Sequence, residues 1–170
     1  MMDLGLALLR LLLAALLFGH STQKLLGWFH GAGRTGTAQV FEQWGFVPGL
    51  RLVVVAGVAE LAGAASLALG LLTPGGSAVI IGTMAVAAVA TAPNGFWAQR
   101  GGCEVPFCYG ALALVLAFTG PGAWSVDHAL NLTFGPWWGL GALALGLLAA
   151  AVPLTARARV LRARATTTTR

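Results

Sequence analysis

The sequence predicts an all-α protein: a polytopic bundle of transmembrane helices, with a four-helix core and a fifth, C-terminal transmembrane helix. Three observations carry this expectation. First, of the 170 residues 58% are hydrophobic and 9% charged, with a mean hydropathy of +0.82. A soluble domain carries about 25% charged residues, so too little polar surface exists here to face water. Second, the apolar residues come in runs close to the roughly 20 residues that a helix needs to cross a bilayer. Third, these runs lack the two-residue alternation of barrel strands, and only helices and closed barrels satisfy their backbone groups inside lipid.

The expected spans follow in order. The first is Leu4 to Leu26, the second Leu50 to Leu72, the third Ser77 to Ala92, the fourth Val105 to Thr119 and the fifth Gly135 to Leu154. The third and fourth are short and draw on their Pro/Gly flanks. Between the first and second, "TGTAQVFEQWGFVPG" places Val40, Phe41, Trp44 and Val47 at helical spacing beside Gln39, Glu42 and Gln43. This predicts an amphipathic surface helix near 37–47, with Trp28 and Trp44 at headgroup level. Gly45 and Pro48 limit its length, so that Val47 falls near or past its end. "TPGG", Thr73 to Gly76, reads as a tight turn, and "NLTFGPWW" breaks the chain before the fifth span. Ala56, Gly63 and Gly70 recur at seven-residue spacing, which suits close helix packing. Residues 1–130 thus form the four-helix domain, 135–155 the added helix, and 156–170 a basic tail expected to be disordered. The N-terminal flank "MMD" is acidic and no small-residue cleavage site follows, unlike a signal peptide.

The sequence pI near 10.7 does not point to nucleic acid, because the basic residues form no soluble patch. Five of the ten Lys and Arg lie between Arg157 and Arg170, just past an apolar run. That pattern suits anchoring to anionic membrane lipids. With five spans, Lys24, Arg34, Arg51, Arg100 and the Arg tail share one side, opposite "MMD", "TPGG" and Asp127. The positive-inside rule then places the C-terminus in the cytoplasm and the N-terminus outside. Four spans would set the loop charges against the tail.

Basic residues also interrupt the first span, "LLRLLLAALLFGHSTQKLLGW". At about 100° per residue, Arg10 and Lys24 share a face with Leu17, and His20 sits on its edge. A charge at mid-helix costs at least roughly 2.5 kcal/mol against lipid, so this wedge should face the bundle and find acids. Glu60, in the middle of the second span, is expected opposite Arg10. Glu104, opening the fourth, and Asn94, ending the third, are expected around a mouth with His20 and Lys24. Two readings of the cluster stay open: buried pairs that set helix register, or a functional relay. "CEVPFC" fits no zinc or CxxC redox spacing, which leaves Cys103 and Cys108 as free thiols. No metal, flavin, haem or iron–sulfur ligand set is visible.

The ordered motifs resemble the DoxX family. "LLRLLLAALLFGHSTQKLLGWFHGAG" is similar to its opening helix, and "VAGVAELAGAASLALGLLTP" to its second. "PNGFW" and "GGCEVPF" are similar to its third loop and the Glu that opens the fourth helix. "GPGAWSVDHAL" is similar to its closing Gly-Pro-Gly, aromatic and Ser-x-Asp. The resemblance places the family's polar residues, a candidate polar cluster, at Arg10, His20, Lys24, Glu60, Asn94, Glu104 and Asp127. The sequence departs from the family pattern at Ser21 (usually Gly), Pro74 (usually basic) and Cys103 (usually aromatic). The family's members are linked with quinol oxidase, thiosulfate:quinone oxidoreduction and membrane redox complexes. The resemblance therefore implies a multi-pass protein of a bacterial cytoplasmic membrane that serves as a redox-linked complex subunit, with redox-enzyme subunits or further copies of itself as partners. Quinone is the cofactor it suggests, with His20, Lys24 and Glu104 meeting its carbonyls. The alternatives are a scaffold that anchors a soluble oxidoreductase or sulfurtransferase, and a small transporter.

Overall fold

The structure is a computed structural model that describes residues 1–168. Those residues form seven α-helices, two single turns of 3-10 helix and no strand. Helix α1 spans Met2–Leu26, α2 Gly33–Gln43, α3 Gly49–Leu69, α4 Thr73–Thr91, α5 Glu104–Thr119, α6 Val126–Ala129 and α7 Pro136–Thr168. Four helices are long and apolar enough to cross a membrane: α1, α3, α4 with its 3-10 extension to Asn94, and α7. With 16 residues, α5 spans about 24 Å at 1.5 Å per residue. It falls short of the roughly 30 Å hydrocarbon layer, carries no charge after its opening Glu104, and packs against α4 and α7.

The burial pattern is that of a membrane protein. The exposed surface carries Leu8, Leu11, Leu12, Val54, Val55, Val58, Leu145, Leu148 and Val152, while Arg10, Glu60 and Asp127 are at most 1% exposed. Lipid rewards apolar side chains on the outside, so the ionisable groups withdraw into the bundle. Exposed Trp28, Phe96 and Trp97 ring one end, and Trp124, Trp137 and Trp138 the other, as interfacial aromatic belts do.

The core forms where α1, α3, α4 and α5 meet, around Leu13, Leu17, Ala64, Leu67, Ile80, Met84, Ala113 and Leu116. The antiparallel pair α1–α3 packs closely because Gly57 receives Leu25, whose atoms stand 2.6 Å from where a Cβ would be. Gly63 likewise admits Ile80 of α4. The added helix α7 docks on α4 through small residues. A Cβ at Gly82 would lie 2.9 Å from the Gly146 carbonyl oxygen, and one at Gly146 would lie 2.7 Å from that of Ala78.

Several boundaries differ from expectation. Gly70 is not a packing residue within a helix but the left-handed cap that ends α3, at φ +60°. The turn falls at Gly70–Leu72, and "TPGG" forms the first turn of α4. A proline is welcome there because its missing N–H would have had no partner. The surface helix starts four residues earlier than predicted and ends at Gln43, so Val47 lies beyond it. The tail expected to be disordered is instead the helical continuation of α7. Arg157 Nε donates to the Trp44 carbonyl at 2.8 Å and Arg164 Nη1 to that of Glu42 at 2.9 Å. These contacts with α2 supply the tertiary partners that composition alone does not reveal. The last two residues of that tail lie outside the described residues.

Candidate functional site

The wedge on α1 is real. Arg10 and Leu17 are buried, and Lys24 is half-buried on the same face. Yet Arg10 and Lys24 are 14 residues apart, about 21 Å along the helix, and they serve different centres.

The first centre holds Lys24, Glu60 and Ser21. Lys24 Nζ meets Glu60 Oε1 at 2.5 Å, and Ser21 Oγ donates to Glu60 Oε2 at 3.2 Å. Both carboxylate oxygens are therefore occupied by groups from α1. Beside them, the His20 ring meets the edge of Tyr109 on α5, with centroids 5.5 Å apart.

The second centre lies at the other end of the bundle, around Arg10 and Asp127. Arg10 does not pair with Glu60 as expected. Because α1 and α3 run antiparallel, Arg10 is level with the end of α3, where Nη1 donates to the carbonyls of Leu67 at 3.1 Å and Ala68 at 3.4 Å. Glu60 lies seven residues earlier, about 10 Å away along the axis. Nη2 of Arg10 donates to the Trp124 carbonyl at 2.5 Å. The negative charge that acts on it is that of Asp127, through space. Asp127 itself caps α4. Its Oδ1 accepts from the Leu72 backbone N–H at 2.6 Å, and its Oδ2 from the Thr73 N–H at 3.0 Å and hydroxyl at 2.7 Å. The positive end of the α4 dipole adds to these charged hydrogen bonds. Gly70 is required here twice, by its positive φ and because any Cβ would collide with the Arg10 guanidinium.

Asn94 and Glu104 form neither centre. They close the loop that leads into α5. Asn94 Nδ2 donates to the Gly101 carbonyl at 3.1 Å, and Glu104 Oε2 accepts from the Ala98 N–H at 2.8 Å. The expected mouth of His20, Lys24, Asn94 and Glu104 thus divides: the two α1 residues turn toward Glu60 and Tyr109, and the other two hold their own loop. Cys103 and Cys108 are free thiols, the first half-buried and the second exposed. Among the described residues, no three His, Cys, Asp or Glu side chains gather as a metal site would require.

An apolar groove of about 320 Å³ opens between α4, α5 and α7, lined among others by Ile81, Met84, Phe107, Leu114 and Leu147. No ionisable side chain lines it. It runs along the face of α5 away from Tyr109, so the polar cluster and the groove do not meet.

The DoxX family model matches residues 5–93 of the 170, just over half of the chain. The chain belongs to the DoxX family. The matched region of this DoxX protein contains Arg10, His20, Lys24 and Glu60, hence the whole Lys24–Glu60 centre. It ends one residue before Asn94, and Glu104, Asp127 and α7 lie beyond it. No curated protein and no solved structure matches the chain.

Reading residues singly missed three contributors. Ser21 was visible only as a departure from the family pattern, yet it lies three residues before Lys24 on the same face. Tyr109 is the single tyrosine of the chain. Thr73 lay hidden in what read as a turn.

Proposed function

We propose that this DoxX protein is a redox-linked membrane subunit that anchors a partner enzyme at the bilayer, with no reaction centre of its own. One observation carries this reading: both acids buried inside the bundle, Glu60 and Asp127, are closed by partners within the chain. Glu60 is taken by Lys24 and Ser21 and Asp127 by the start of α4, while Arg10 gives its two terminal nitrogens to carbonyls and keeps a buried Nε without a partner among the described residues. A reaction centre instead directs polar groups into a space that substrate can enter, and the groove present is apolar. The partner class, a soluble oxidoreductase or sulfurtransferase, is what the family resemblance implies. We also infer that the end bearing Lys24, Arg34, Arg51, Arg100 and the α7 arginines faces the cytoplasm, where such an enzyme would dock.

A second reading rests on the seam between α1 and α5. His20 and Tyr109 meet there next to the Lys24–Glu60 pair, and a quinone ring that parted them would find two hydrogen-bonding heads. In this form the quinone site uses His20 and Tyr109, because Glu104 is engaged with Ala98. One experiment separates the readings. The protein is purified in mild detergent, copurifying proteins are identified, and its melting temperature is followed during titration with a quinone analogue. A flat titration with a copurifying redox enzyme supports the anchor. A saturable rise that Tyr109→Phe and His20→Leu abolish supports quinone binding and overturns it.

A further inference from the structure

The arginines at the end of α7 are divided between two faces. Taking Arg157 as the origin at 100° per residue, Arg164 lies within about 20° of it, whereas Arg159 and Arg162 lie at about 200° and 140°. The first pair is committed to α2. Arg157 donates to the Trp44 carbonyl and stacks on Phe46 at 5.6 Å, and Arg164 donates to the Glu42 carbonyl. The second pair is exposed. Neither member makes a hydrogen bond or ion pair among the described residues, and α7 contains no acid to receive one.

Their height is set by the apolar part of α7. Pro136 to Leu154 is 19 residues, about 28 Å of helix, which matches the hydrocarbon layer. Arg159 then lies about 7 Å beyond the layer and Arg162 about 12 Å. Headgroups occupy the first 5–7 Å or so beyond the hydrocarbon, and an arginine stem can reach back toward them. Two guanidinium forks three residues apart on one face suit a phosphate, which they hold by parallel charged hydrogen bonds.

We propose that Arg159 and Arg162 form a binding site for the phosphate of an anionic phospholipid, while Arg157 and Arg164 hold α2 to the same helix. The site is independent of the anchoring role and of which end faces the cytoplasm.

The test is lipid retention by the full chain in mild detergent, read by native mass spectrometry with phosphatidylglycerol, phosphatidylcholine or inorganic phosphate. The unmodified protein should prefer phosphatidylglycerol over phosphatidylcholine. Each outer arginine changed to Gln should lower that preference roughly fivefold, and the melting temperature in phosphatidylcholine should stay unchanged. Arg159→Lys with Arg162→Lys should keep part of the preference, which guards against a folding defect in the Gln variants. Arg157→Gln with Arg164→Gln should keep all of it, while amide exchange in residues 33–43 rises. The proposal is overturned if the outer Gln variants retain full preference, or if the inner pair lowers it equally, since total charge would then suffice. It is also overturned if inorganic phosphate competes as well as the lipid, since a soluble anion would then be the ligand.

Discussion

Glu60 decides how α1 sits against α3, because both its oxygens are held by α1 side chains. A carboxylate 1% exposed carries a desolvation cost that only a close cation offsets, and breaking such a pair from one side costs about 3 kcal/mol or more. Glu60→Gln should therefore lower thermal stability in detergent strongly. Adding Lys24→Met should recover part of the loss, whereas adding Arg10→Gln should recover none. A double-mutant cycle on melting temperatures checks this, and recovery by the Arg10 change would mean that Glu60 serves the other centre. At that centre Gly70→Ala should cost well over 1 kcal/mol. A left-handed residue with a Cβ costs about that much by itself, and the Arg10 guanidinium would also have to move. Arg10→Gln in the same chain should soften the loss, as the same assay would show. The candidates Arg10, Lys24 and Glu60 were all legible in the sequence, because charges in an apolar run have few explanations. Their pairing was not, because it depends on the axial offset of two helices, and no pattern within one helix records that offset.

At the scale of elements, α4 begins on a borrowed carboxylate. Asp127 comes from the short helix α6, 54 residues beyond the threonine that it caps. Asp127→Asn keeps the shape but loses the charge on three hydrogen bonds, which should cost about 2 kcal/mol. Hydrogen exchange should then speed up first in residues 71–76, and equal protection there would refute the cap. The attachment of α7 rests instead on missing side chains. Ala78 and Gly82 on α4, and Ala142 and Gly146 on α7, are spaced by four and let the backbones approach. Gly146→Leu should displace α7 without unfolding the α1–α5 core. Limited proteolysis should release a C-terminal fragment while the Lys24–Glu60 region stays protected. Cleavage spread over the whole chain would show that the fifth helix belongs to the core. Only the existence of α7 was legible. Its basic end read as a disordered tail because isolated arginines and threonines build no core of their own, and here α2 supplies one side of it.

For the molecule as a whole, the first helix and the last are each tied to a neighbouring segment. The Asp3 carboxylate accepts from the Ala123 N–H at 2.8 Å at one end, and α7 reaches α2 at the other. The basic end should be cytoplasmic. A C-terminal reporter that fluoresces only in the cytoplasm should be bright and an N-terminal one dark. Two bright reporters would require an even number of crossings and would overturn the five-span arrangement.

The sequence by itself determined the class of the molecule: a helix bundle in lipid, its five apolar helices and the face of α1 that turns inward. These properties follow from composition and from periodicity along one chain segment, since the bilayer acts on each helix separately. It also showed which side chains were too costly to leave in lipid. The tertiary structure alone decided which of them met. Helix offsets sent Lys24 rather than Arg10 to Glu60, loop geometry engaged Glu104 and Asn94 with backbone groups of their own loop, and the approach of α2 ordered the arginine end of α7. Such pairings are set by the relative heights and rotations of whole helices. Those depend on where small residues allow backbones to touch, so a local reading of the chain could name the participants but not match them.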